Sequence, residues 1–443
     1  MPKNKLIFFL SLATLIAYGS SFKYGFSQDD WFHLSISQAT TFTEFLNFFN
    51  PAQVSWIFFR PLSTQVPYWL ASSLFPLSSA PYFLHALMLI VHLANAYLVT
   101  RIARQYLSDS LAFTLGIIYA IAPLHFLSLF YIGAIQQLIS TFFSLIAIHY
   151  FLISKARSQW ILGILTLSAL LSKELALRLP LILLVLSYLK DRRIWPTIKQ
   201  VIGPLVVTVL YFALRYFVGT HSASEYEVVL GIGTSLATLM WYGLFLLGFP
   251  ESILGYGMAR GRVDFLSFFT QSGPLAWLIA GGALLIIVLA VSRLLTLIKS
   301  RAWSSLVILP ALSVLSILPI IFLPTHRYPH YLDLALLGMG IWLLQGVTRI
   351  TNLVKIGLTL FCLSMLTSIA VESHTHWTIK RAVVSKQIIS QLSQPGACSQ
   401  PEGVVFTGTS LELRELGYAL SLEHAPRIIC QNPTLPVYYK QLP

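Results

Sequence analysis

Eleven apolar stretches dominate the sequence, at residues 6–22, 82–100, 110–128, 132–153, 159–172, 175–189, 201–218, 276–296, 304–323, 331–348 and 353–371. Each is long enough, or nearly so, to cross a bilayer core of about 30 Å as a helix. Only 10% of the 443 residues are charged, against about 25% in soluble domains, which excludes a soluble globular enzyme. The expected fold is an all-α polytopic membrane bundle of about eleven transmembrane helices. The aromatic share of 13% suits rings that sit at interfaces and line a cavity. Three cysteines are too few for a disulfide scaffold or a thiolate metal site.

The net charge of +13 would suggest nucleic acid in a soluble chain, but its placement points to a membrane and to no nucleic acid. With the N-terminus cytoplasmic and the C-terminus outside, the cytoplasmic segments hold 15 Lys and Arg, from Lys3 to Lys355, opposed only by Asp109 and Asp191. The remaining 14 basic and 14 acidic residues balance, as the positive-inside rule predicts. The basic residues define this arrangement; the separation of the acids supports it partly independently. Residues 232–249 could also cross, but that would turn Arg293, Lys299 and Arg301 outward, so a re-entrant or interfacial segment is expected. Residues 1–22 have the basic start and small residues of a signal peptide; apolar and aromatic residues continuing to Phe22 favour a retained helix.

Residues 1–371 therefore form the membrane domain. Within it, 23–67 is an outer loop too aromatic to be a solvated linker. From Thr41 to Phe49 it carries Phe42, Phe45, Leu46, Phe48 and Phe49 largely on one helical face, the pattern of a short interfacial helix. Residues 372–443 predict a small extracytoplasmic α/β appendage: a strand at Val404–Thr407, a helix at Leu411–Leu422 and a second strand at Arg427–Cys430. Cys398 and Cys430 could pair there in an oxidising compartment, whereas Cys362 sits inside a helix as a small apolar residue.

Four polar clusters carry chemistry. Asp29 and Asp30 follow the first helix amid aromatic residues, where desolvation and mutual repulsion would raise at least one pKa, as in a general base or metal ligand; a helix N-cap is the structural alternative. Arg60, flanked by Phe59 and Pro61, could bind phosphate or snorkel to lipid head groups. Ser172, Lys173 and Glu174 interrupt an apolar run, with Arg178 one turn beyond. Such groups need a wet cavity and resemble the polar breaks between half-helices that build binding sites, unless Glu174 and Arg178 simply pair at i,i+4. Between two late helices, His326, Arg327, Tyr328, His330 and Tyr331 offer donors suited to an anionic head group, while Pro329 argues against a His metal site. His85 and His92 lie on one helix face and read as buried polar contacts. The acidic pair, Arg60, the Lys173 cluster and Arg327 all fall on the outer side, where one cavity could hold them.

In this order, Asp29-Asp30 after the first helix, Arg60-Pro61-Leu62, Ser172-Lys173-Glu174 with Leu179-Pro180, and Arg327-Tyr328 with Tyr331 span about 300 residues. The chain thereby resembles the GT-C superfamily of polytopic glycosyltransferases, in the branch around protein O-mannosyltransferases and their bacterial relatives. The resemblance implies transfer of a sugar from a polyprenyl-phosphate donor to a hydroxyl acceptor on protein, lipid or glycan, at the extracytoplasmic face of a bacterial or archaeal cell membrane. It implies Asp29 as general base, with Asp30 sharing that role or positioning the acceptor. Arg60, Lys173, Glu174, Arg178, His326, Arg327, Tyr328 and Tyr331 would contact substrate or its phosphate. The late pattern departs from the family: His326 stands where an acid is usual, and Pro329-His330-Tyr331-Leu332-Asp333 replaces a Leu-Pro-Ser continuation. No cofactor is required, although Asp29, Asp30 and Glu174 are hard oxygen ligands that could hold Mg²⁺ or Mn²⁺. A lipid-linked sugar flippase would show midplane charges and inverted repeats, which this chain lacks. An O-antigen ligase or polymerase would give no reason for the acidic pair.

Overall fold

Every apolar stretch becomes helix, but not every one becomes a full-length helix. The computed structural model describes residues 2–53, 59–154, 157–191, 194–218, 227–253, 265–300, 303–347, 351–398 and 402–441. In order, the helices are α1 Lys3–Tyr18, α2 Asp29–Ile36, α3 Phe42–Asn47, α4 Gln65–Leu74, α5 Ala80–Ala103, α6 Asp109–Ala120 and α7 Phe126–Phe130. Then come α8 Ile135–Ile153, α9 Gln159–Leu170, α10 Leu179–Asp191, α11 Ile194–Val218, α12 Ile232–Leu246, α13 Phe265–Ser272, α14 Pro274–Lys299 and α15 Trp303–Ile317. The last are α16 Asp333–Leu344, α17 Asn352–Thr375, α18 Trp377–Leu392, α19 Ser410–Leu420 and α20 His424–Ile429.

Six segments among the described residues are long and apolar enough to cross a membrane: Lys3–Lys23, Ala80–Ala103, Ile132–Ile153, Ile198–Phe217, Pro274–Lys299 and Asn352–Thr375. Asp109–Ala120 with Pro123–Phe130, bent by 43°, makes a seventh if counted as one span. These helices mark the chain as an integral membrane protein. The other expected crossings hold shorter helices, from the 12 residues of α9 to the 15 of α15, and at 1.5 Å per residue these fall short of 30 Å. The cause is local. Lys173 is extended at φ −162° and ψ 134° before a 3₁₀ turn, and Pro329 opens another 3₁₀ turn before α16, so helix is lost where polar residues cluster. By length, then, six or seven of the eleven expected stretches are full spans among the described residues. Segment 232–249 contains the 15-residue α12, also short of a span. Lys155, Arg192, Arg193, Arg301 and Arg349 of the cytoplasmic set lie outside the described residues.

Packing runs α1 on α5, α5 on α6 and α8, α8 on α9, α9 on α11, α14 on α17 and α15 on α16. Leu84, Met88, Leu115, Leu145 and Leu183 are fully buried or nearly so, whereas Ile90, Val209 and Leu284 are exposed, apolar surface that hydrocarbon would cover. In the outer loop, α3 starts with a capping box in which Thr41 and Glu44 satisfy each other's backbone. Phe45 packs on Trp69 at 4.8 Å while Phe42 remains exposed, as an interfacial helix should.

The C-terminal region holds β1 Val404–Gly408 and α19, as expected, and Cys398 is bonded to Cys430. The predicted strand at Arg427–Cys430 is wrong. His424–Ile429 is helix, because Pro426 in its first turn is compatible with helix but cannot donate to a sheet. The partner strand is β2, Val437–Gln441, parallel to β1 with Val404 opposite Val437. The intervening α19 and α20 supply the crossover that parallel pairing needs.

Candidate functional site

The acidic pair is set by a backbone turn. Gln28 has φ 56° and ψ −133°, a left-handed conformation that costs a non-glycine residue about 1–3 kcal/mol. The C-terminal region holds it there: the Gln28 N–H donates to the Ala419 carbonyl at 2.8 Å, and its side-chain oxygen accepts from Arg381 at 3.0 Å. Helix α2 then begins at Asp29. The buried Asp30 carboxylate turns back to accept the Ser27 N–H at 2.8 Å and the Tyr68 hydroxyl at 2.6 Å. Burial pushes its pKa up to about 8; the two hydrogen bonds oppose this, and the Asp29 charge adds to it. Asp29 is exposed. Its N–H donates to the Tyr131 oxygen at 3.2 Å, and that hydroxyl donates to the Asp29 carboxylate. Gly133 permits this, since a Cβ there would lie 2.6 Å from the Tyr131 ring and hydroxyl.

The cationic side forms at the break between α9 and α10. Arg60 grips Glu174 with two parallel bonds, Nε at 2.9 Å and Nη2 at 2.5 Å, and its third nitrogen reaches Gln136. Arg215 approaches Glu174 at 3.8 Å. Burial alone would raise the Glu174 pKa, but the charge and hydrogen bonds of Arg60 override it and hold it at about 2. Arg178 turns the other way, to Asp333 at 2.6 Å and to the carbonyls of Ser316 at 2.7 Å and Tyr331 at 3.0 Å. Its expected i,i+4 alternative, a pair with Glu174, is not formed. Asp333 also takes Gln137 and Thr141. Lys173 differs: among the described residues no carboxylate lies within ion-pair distance of its ammonium. That group sits 3.4 Å from His330 Nε2 and 4.7 Å above the Tyr331 ring, and burial, then the charge of Arg60, lowers its pKa to about 7.

The late turn closes over it. His326 packs on Tyr328 at 4.6 Å and Tyr331 at 5.8 Å. Arg327 points aside and donates to the Thr238 hydroxyl on α12 at 3.0 Å. Tyr328 stacks on His330 and faces Trp377 at 6.5 Å, and Trp377 in turn faces Tyr131 at 6.4 Å. The two sides are thus joined through Asp29, Tyr131, Trp377, Tyr328, His330 and Lys173. The three carboxylates proposed as metal ligands do not converge: Glu174 belongs to Arg60, and among the described residues no group of three His, Cys, Asp or Glu could hold a metal.

Several residues escape the sequence reading. Trp377 is held by an indole N–H bond to Glu251 at 3.2 Å; Glu251 also lies 3.3 Å from His376, and its N–H donates to the buried Glu372. Glu372 and Asp333, acids within apolar helices, carried the same signal as Glu174. Tyr131 and Gln136 carried none. His85 and His92 accept their expected role, contacting the carbonyls of Tyr24 and Ala120 at 3.1 Å.

No family profile matches the sequence, and no curated protein does. Among solved structures, that of ArnT from Cupriavidus metallidurans bound to undecaprenyl phosphate is similar over 99% of this chain and 86% of that one, with 14% identity and a TM-score of 0.50. This likeness gives the chain a GT-C-like fold. The Archaeoglobus fulgidus oligosaccharyltransferase, in complex with Zn and sulfate, is similar over 97% of this chain and 62% of that longer one, with 13% identity and a TM-score of 0.48.

Proposed function

We propose that this chain is a membrane glycosyltransferase that moves one sugar from a polyprenyl-phosphate carrier to a hydroxyl acceptor at the extracytoplasmic face, in the manner of protein O-mannosyltransferases. The observation that carries the reading is the continuous set of contacts from Asp29 through Tyr131, Trp377, Tyr328 and His330 to Lys173. It sets a solvent-facing carboxylate and an ammonium not matched to a carboxylate on opposite ends of one aromatic wall, within a fold whose solved likeness binds undecaprenyl phosphate.

Asp29 removes the acceptor hydroxyl proton as that oxygen attacks the anomeric carbon. The bond from that carbon to the carrier phosphate breaks, and the carrier departs as a phosphate monoester whose growing charge meets Lys173. Attack from the face opposite the leaving group inverts the anomeric centre. Asp30, protonated near neutrality, keeps its place against Tyr68 and Ser27 and positions α2. Arg60 and Arg178 already have carboxylate partners, so they act by fixing the break around Lys173; His326, Tyr328 and Tyr331 line the phosphate side, and Arg327 ties the late turn to α12. A retaining hydrolase would need two carboxylates about 5 Å apart across the sugar, whereas Asp30 points away into the protein.

The test is transfer of label from a polyprenyl-phosphate hexose to protein, lipid and glycan acceptors by the purified chain and by Asp29→Asn. The reading expects transfer by the first and almost none by the second. Equal transfer removes Asp29 as base, and no transfer from any donor favours a lipid-linked sugar transporter.

A further inference from the structure

A cavity of about 370 Å³, whose lining includes neither Asp29 nor Tyr131, lies at the ends of two membrane spans. One wall is the end of the first span, Phe22 to Phe26, and another is the start of α5 with Pro81 and Tyr82. The roof comes from α18, through Lys386 and Ile389, with Trp31 of α2 behind. Two features set it apart. Its charged groups are both cations, Lys23 and Lys386, with no acid in the lining, and among the described residues neither ammonium has an ion-pair partner. On its flank, Leu74 at the end of α4, Phe75 and Leu77 in the turn that follows, and Tyr82 in the first turn of α5 are exposed at the mouth of a span.

Exposed aliphatic and aromatic side chains at the end of a span sit at head-group depth, where Tyr and Trp concentrate. A pair of lysines beside them attracts lipid phosphate. The lysines also lie at the end of the first span opposite Lys3 and Lys5, so the basic bias of the N-terminal end does not account for them. We infer that this cavity binds the phosphate group of an anionic membrane lipid, with Lys23 and Lys386 on the phosphate, Tyr24 and Tyr82 beside the glycerol, and the acyl chains descending past Leu77. The site stands apart from the sugar-transfer reading and does not require it. Occupancy would tie α18 to the first span, and α18 already holds α2 through Ser385, which accepts from the Trp31 indole at 3.2 Å and donates to the Phe26 carbonyl at 2.8 Å.

The experiment is native mass spectrometry of the full chain released from phosphatidylcholine nanodiscs containing phosphatidylglycerol. Wild type should retain phosphatidylglycerol, and a Lys23→Gln, Lys386→Gln double variant should retain it about thirtyfold less, as two lysines near a membrane surface would predict. Lys23→Arg with Lys386→Arg should restore retention, which separates lost charge from a misfolded protein. Equal retention by wild type and the Gln variant overturns the site. Displacement of the lipid by inorganic phosphate at matched concentration overturns the lipid as its ligand in favour of free phosphate, whereas persistence in excess phosphate supports the lipid.

Discussion

Asp30 and Glu174 are carboxylates on the two sides of one site, and their surroundings drive them apart. Asp30 is buried against a phenol and a backbone amide, neutral donors that only partly offset desolvation, and its pKa rises to about 8. Glu174 is partly exposed and clasped by a guanidinium, which holds it at about 2. The cationic side is therefore built of finished ion pairs, Arg60 with Glu174 and Arg178 with Asp333, that leave Lys173 as the adjustable charge. On the acidic side the inner carboxyl stores a proton and the outer one faces solvent. Rigidity and reactivity are thus divided between neighbours in the sequence: Glu174 beside Lys173, Asp30 beside Asp29.

The largest effect expected from this contrast is catalytic. Asp29→Asn should lower transfer by about 10²–10⁴-fold, the usual contribution of a positioned general base, with donor binding little changed; a titration of labelled carrier phosphate separates the two. Next comes the buried pair. Arg178→Met strands Asp333 without its cation and should cost about 3–5 kcal/mol, seen as a large fall in the thermal midpoint in detergent. Arg60→Met should cost less, because water reaches Glu174. If the two losses match, the distinction between buried and half-exposed pairs fails.

A third, smaller effect is in pH dependence. Lys173 titrates near 7 rather than 10.5, so the free site loses its charge as pH rises through 7, and affinity for an anionic carrier should weaken by up to about tenfold per unit above that. Lys173→Arg should flatten the profile, since a guanidinium stays protonated. A fourth test is the pH dependence of stability in Asp30→Asn. Because the folded pKa of Asp30 is raised, the native state holds a proton that the unfolded chain releases between about 4 and 8, so wild type loses stability as pH climbs through that window. The amide has no proton to lose, and a midpoint that declines equally in both proteins would contradict the raised pKa.

The sequence made the helices and the ionic clusters visible because both are local. A 20-residue apolar run or a Lys-Glu step inside one is expensive wherever it lies. Pairing is not local. Glu174 read as a partner for Arg178 four residues on, yet a 3₁₀ turn misaligns that spacing and each found its counterion more than 100 residues away. Asp333 carried the same signal as Glu174, an acid against an apolar helix, yet nothing local named Arg178 as its partner, and Glu251 and Trp377 had no pattern to signal them. The misplaced strand has the same origin: a short apolar run at Arg427–Cys430 fits helix or strand alike, and only Pro426 and the alternative at Val437–Gln441 decide it.

The left-handed turn at Gln28 makes the distal third of the chain accountable for the geometry of the first loop. Its two restraints, Ala419 and Arg381, come from beyond the last span, so the kink that aims Asp29 is maintained from a distance of over 350 residues. Truncation after Thr375 would keep Asp29 and Lys173 but release this turn and take away Trp377, so on the proposed reading transfer should fall with both charged ends still present.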